Sequence, residues 1–89
     1  MQTPVEILAE IYPDLIIYDG FDDAIIGVGT TNLNMHVIYD EDMVIEILQE
    51  QMDCSYHEAR EYFEFNVAGA YVGPSTPSFY RSLEDEIDE

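Results

Sequence analysis

Apolar positions recur every three to four residues in three stretches of this chain and crowd together in two others, a pattern that predicts helices and strands respectively. The first helical stretch carries Val5, Ile7, Leu8, Ile11 and Tyr12 and stops at Pro13. Thr3-Pro4-Val5-Glu6 introduces it in the form of a capping box: a threonine N-cap, proline at the first helical position, and a glutamate that reaches back to the cap. Leu15-Ile16-Ile17-Tyr18 reads as a short strand or as a packed loop, and Asp19-Gly20 marks a turn.

Ala24–Thr30 and Met35–Tyr39 are rich in β-branched and aromatic residues, and the turn-like Thr31-Asn32-Leu33-Asn34 between them makes the pair a β-hairpin. Gly27 and Gly29 mark a bulge or a close approach in the first strand. Asp40 then caps a second helix running to about Met52, on which Met43, Val44, Ile47 and Leu48 fall on one face and Asp42, Glu46 and Glu50 line the other. Ser55-Tyr56-His57-Glu58 is a second capping box. It opens a third helix with a core stripe of Ala59, Tyr62, Phe63, Val67 and Ala70, with Glu58, Glu61 and Glu64 turned away, ending at Gly73-Pro74. Phe65 lies nearly opposite that stripe and either packs on another element or is an exposed aromatic anchor. Ser78–Leu83 either adds a third strand to the hairpin or lies over the helices. The expected architecture is α+β: one small domain over residues 1–83, an antiparallel hairpin or three-stranded sheet against two or three helices, followed by an acidic and partly disordered tail at 84–89.

Charge changes this picture most. Twenty Asp and Glu stand against Arg60 and Arg81, with no Lys, for a net charge of −18 over 89 residues. Such a chain repels nucleic acid and anionic membranes and attracts basic protein surfaces, so direct nucleic-acid binding is not expected. With hydrophobic residues at 47% it still has enough apolar side chain for a packed core. Cys54 is the only cysteine, which excludes an internal disulfide, and no apolar run reaches the roughly 20 residues that span a bilayer. A cytoplasmic protein, with no cofactor and no membrane partner, is expected.

Motifs for chemistry are mostly missing. His57-Glu58-Ala59-Arg60-Glu61 lacks the second histidine of a zinc-protease helix, and Asp19, Asp22 and Asp23 lack the alternating spacing of a calcium loop. No glycine-rich phosphate loop is present. Cys54 and His57 have no third member or oxyanion donors, so structural roles are expected for both, and the chain does not read as an enzyme. Asn66, at the edge of an apolar stripe, needs partners; backbone of the hairpin or of the loop at Gly73 is expected to supply them, with a ligand contact as the alternative.

FDDAIIGVG at Phe21–Gly29, VIYD at Val37–Asp40, EYFEFNVAGAYVG at Glu61–Gly73 and the following Thr76-Pro77 resemble a family of short uncharacterised bacteriophage and prokaryotic proteins. That resemblance implies two strands, an acidic helix and a second helix ending in N-x-x-G-A-x-x-G, here on Asn66, Gly69 and Gly73, in a phage context and with no established activity. From charge geometry, the expected function is binding and inhibition of a basic, nucleic-acid-binding host protein, as a DNA mimic in anti-CRISPR or other anti-defence. The contacts would be Asp42, Glu46, Glu50, Glu58, Glu61 and Glu64. The alternative is a non-enzymatic accessory module, homodimeric through Phe65, Tyr71, Phe79 and Tyr80, whose acids only keep it in solution.

Overall fold

The computed structural model describes residues 2–83, so the expectation of a disordered tail at 84–89 lies outside the described residues. The chain forms helix α1 (Pro4–Ile11), strands β1 (Ile25–Thr31) and β2 (Asn34–Asp40), helices α2 (Glu41–Met52) and α3 (Tyr56–Tyr62), and strand β3 (Ser78–Tyr80). It is an α+β domain, as the hydrophobic pattern predicts.

Local chemistry sets most boundaries. Thr3 accepts the Glu6 N–H at 3.2 Å while the Thr3 N–H donates to the Glu6 carboxylate at 2.8 Å, and Ser55 and Glu58 repeat the reciprocal pair on α3. Asp40 Oδ1 accepts from the Asp42 and Met43 N–H groups and starts α2 directly from the end of β2. Asp53 then ends α2 in the left-handed region at φ 50°, and the three residues before α3 fold the two helices into a hairpin.

β1 and β2 pair antiparallel, closed by Asn32 and Leu33 with φ of 50° and 70°. Two positive φ values in a two-residue loop are the primed type I turn, whose twist suits a hairpin and whose second position favours glycine. Leu33 sits there with its side chain 98% exposed, gaining no burial for the strain. Leu33→Gly is expected to stabilise the fold by about 1 kcal/mol, read as a higher urea midpoint at unchanged slope. Gly29 is glycine for a different reason: a Cβ there would come within 2.9 Å of Ile38 Cδ1 and 3.2 Å of His36 Nε2, which lie across it from β2.

The third strand is the residue 78–80 segment. It pairs with β2 in parallel, Ile38 opposite Ser78 and Asp40 opposite Tyr80, so the sheet is mixed, in the order β1-β2-β3. A parallel neighbour needs a long crossover, and α2 and α3 are that crossover. Before β3 the chain turns at Gly73, where Thr76 Oγ1 accepts the Val72 N–H at 2.9 Å and donates to the Gly73 carbonyl at 2.6 Å.

One face of the sheet carries the core. Val37 and Tyr39 of β2 are fully buried beneath Val44, Ile45 and Leu48 of α2, Ala59 of α3 and Phe63 just after it. Tyr18, Tyr39 and Phe79 stack with centroids 5.9 to 6.5 Å apart, and Phe63 meets Phe79 edge-on at 4.9 Å. Leu15–Tyr18 is packed loop rather than strand, held by the Tyr18 N–H donating to Tyr39 Oη at 2.8 Å. Burial pushes the pKa of both tyrosines above the ordinary phenol value.

Several side chains sit differently from the expected pattern. On α2 the inward face is Glu41, Val44, Ile45 and Leu48, with Met43 exposed and Ile47 half-buried, so the helix is turned toward its own N-terminal glutamate. On α1 only Leu8 is buried, while Ile7, Ile11 and Tyr12 are exposed. After Tyr62 the third helix does not continue as an α-helix to Gly73. It widens into a π-helical turn over Phe63–Val67, closed by the Ala68 N–H donating to the Phe63 carbonyl at 2.7 Å. Phe63 and Val67 point inward there, Tyr62 is exposed, and Phe65 is 82% exposed, the anchor alternative of the two readings.

Candidate interaction surface

Glu41 follows a capping aspartate, and its side chain turns beneath α2 rather than into solvent. The residue is 7% exposed and receives both of the chain's guanidinium groups. Arg60 of α3 donates to Glu41 Oε2 at 3.1 Å; Arg81, just past β3, donates to the same oxygen through Nε at 2.9 Å and lies within 2.7 Å of it through Nη2. Arg60 also meets Glu64 at 3.2 Å and Tyr56 Oη at 3.4 Å. Burial disfavours the Arg60 charge, but the hydrogen bond and charge of Glu41 outweigh it and hold that guanidinium above its ordinary pKa. The cluster ties α2, α3 and the end of β3 together. Nothing local in the sequence announces it, because its members stand 19 and 40 residues apart.

The acids of α2 and α3 lie on the other side of the same helices. Asp42, Glu46 and Glu50 are exposed on α2, opposite Val44, Ile45 and Leu48; Glu58, Glu61 and Glu64 are exposed on or just after α3, away from Ala59 and Phe63. Both helices bury their inner faces in one core and are joined by a three-residue connection. Each acid line therefore faces away from that shared core. In the second line Glu64 is bound by Arg60, and Glu61 lies 3.7 Å from His57, where both side chains are largely exposed.

Groups with reactive side chains are elsewhere, and dispersed. Partial burial, then the carboxylates of Glu58 and Asp53, push the Cys54 thiol above its ordinary pKa, the opposite of what a nucleophile needs. Among the described residues no three His, Cys, Asp or Glu side chains gather as a metal site, and no helix is long and apolar enough to cross a membrane. Asn66 does not reach the hairpin or Gly73. Its amide donates to the Tyr62 carbonyl at 3.3 Å, which in a regular α-helix would be met by the Asn66 backbone N–H. The same residue borders an open depression of about 280 Å³ with Ile17, Tyr18, Phe21 and Val67. Phe79 belongs to the aromatic stack and is half-buried, unlike the exposed Phe65, Tyr71 and Tyr80.

No family model, curated protein or solved structure matches the chain, so its function has to be argued from these surfaces.

Proposed function

We propose that this is a small acidic protein of phage type that binds a basic, nucleic-acid-binding host protein through the acid lines of α2 and α3 and keeps it from its nucleic acid. The observation that carries this reading is the segregation of charge. Both guanidinium groups converge on Glu41, while Asp42, Glu46, Glu50, Glu58 and Glu61 stand exposed on two adjacent helices. Residues four apart on a helix are separated by about 6 Å along the axis. One strand of duplex DNA presents a phosphate about every 3.4 Å, so a single acid line has roughly half the needed charge density. The second line, on α3, makes up the difference. Glu64, already held by Arg60, contributes least.

Capture from host lysate at low salt tests the reading: a basic nucleic-acid enzyme should be recovered and displaced by added duplex DNA. Alanine at Asp42, Glu46 and Glu50 together should weaken that complex by about tenfold or more, as should raising salt to about half molar. Unchanged binding under both conditions rejects the proposal.

Exposed Phe65 and Tyr71 keep a second reading open, a homodimeric accessory module held by aromatic contacts. Burial of apolar area is insensitive to screening while repulsion between two −18 chains is not, so such a dimer would strengthen with salt. A monomer in sedimentation at all salt concentrations removes this reading.

A further inference from the structure

The exposed side chains of α1 and the bulge of β1 belong to one feature. Pro4, Ile7, Leu8 and Tyr12 form one wall, and Ile25, Ile26, Gly27 and Val28 the other, of an apolar groove of about 270 Å³. Its floor is a sheet edge, because among the described residues β1 pairs only with β2. In a hairpin closed by a two-residue turn the flanking pair, here Thr31 and Asn34, is hydrogen-bonded, and bonded pairs then alternate along the ladder. Val28 and Thr30 therefore direct their N–H and C=O groups away from β2, toward a further strand.

Natural sheets usually protect such an edge with charge, proline or a covering element. β1 reads Ile-Ile-Gly-Val-Gly-Thr-Thr, with no charge and no proline. Its register slips between Ile25 and Gly27, and Ile26, at the slip, is 51% exposed into the groove. Gly27 has nothing within 4 Å of where a Cβ would stand. A strand glycine that the monomer does not require is what close approach of another backbone would call for.

We infer that the α1–β1 groove takes an extended, cationic protein segment that adds to β1 as a fourth strand. Main-chain hydrogen bonds to Val28 and Thr30 hold the segment, and alternate apolar side chains fill the groove beside Ile7, Tyr12 and Ile26. Charge decides the occupant. The chain carries a net charge of −18, with Glu10 of α1 and Asp22 and Asp23 of the 3₁₀ turn before β1 exposed, and both arginines are bound to Glu41. A second copy would bring another charge of −18 against the first, whereas a segment with Lys or Arg on its outward positions is attracted. This surface is separate from the acid lines of α2 and α3 and stands independently of the function proposed for those lines.

The probe is a synthetic peptide of alternating valine and lysine, compared with the same peptide N-methylated at every second residue, which keeps the charge and loses the edge hydrogen bonds. The inference expects the unmodified peptide to slow amide exchange of Val28 and Thr30 by about tenfold or more and the methylated one to leave it unchanged. Gly27→Val, which fills open space without a clash, should retain the melting temperature and bind at least about tenfold more weakly. The Asp42, Glu46 and Glu50 alanine chain should still show the protection at β1. Equal protection by both peptides, or protection confined to α2 and α3, overturns the inference. So does protection of Val28 and Thr30 in the chain alone with a dimer in sedimentation, which would give the edge to a second copy.

Discussion

Glu41→Gln is expected to lower folding stability by about 3 kcal/mol, the larger part of what a marginal 89-residue domain has in reserve. Breaking one partner of a fully buried ion pair costs about 3–5 kcal/mol, because the other charge is left desolvated. Here the Arg60 side chain is 25% exposed and that of Arg81 46%, so water recovers part of the loss. The effect still exceeds that of a surface pair, since two guanidiniums lose one acceptor at once. Urea denaturation followed by circular dichroism measures it. The companion substitution of Glu41, Arg60 and Arg81 together by Leu, Met and Met should recover most of the loss, because the cluster is costly to break and much less costly to replace. A shift below about 0.5 kcal/mol for Glu41→Gln would mean the carboxylate is not the joint that it is argued to be.

Phe63→Ala should be as severe, at about 4 kcal/mol, while Phe65→Ala two positions later should stay within about 0.5 kcal/mol. Phe63 is buried and set edge-on against Phe79, which stacks in turn on Tyr39 and Tyr18; removing its ring opens a void where α3, β3 and the Leu15–Tyr18 loop meet. Phe65 touches little. Because the two residues are alike in kind and only two positions apart, thermal melts of the pair report the direction of the π-helical turn. Comparable losses for both would show that Phe65 packs inward and that the turn is wound differently.

The features that could be read in the sequence are those decided within four residues. The Thr3/Glu6 and Ser55/Glu58 boxes and the Asp40 cap fix helix starts by short-range donors and acceptors, and all three stand where the residues put them. The acids of α2 and α3 were legible as outward-facing for the same reason. What was not legible depended on partners far along the chain. Taking Met43 into the core and leaving Ile45 out follows from judging a helix by its apolar residues alone; the helix is in fact rotated so that Glu41 can face Arg60 and Arg81. Phe63 and Val67 stand in the core as the apolar stripe placed them, and Phe65, left between packing and exposure, is exposed; the widened turn and the exposure of Tyr62 were not legible. The α1 apolar residues looked like core by periodicity, and only the position of β1 shows that several of them border a groove instead. Gly27 was the legible signal there: read as a mark of a bulge or close approach, it stands where the register slips.

The parallel placement of β3 also governs how the molecule comes into being. β1 and β2 meet across two residues and α2 follows without a linker, so these elements can assemble from local contacts within microseconds. The sheet gains its third strand only when residues 78–80 return to residues 38–40, and Glu41 gains its second guanidinium only when Arg81 arrives with them. Closing a loop of that length must come before either contact rewards it. Completion of the sheet and neutralisation of the buried carboxylate are thus a single late step, and until it occurs the nascent chain carries a half-paired charge under α2 and an open edge on both sides of its hairpin.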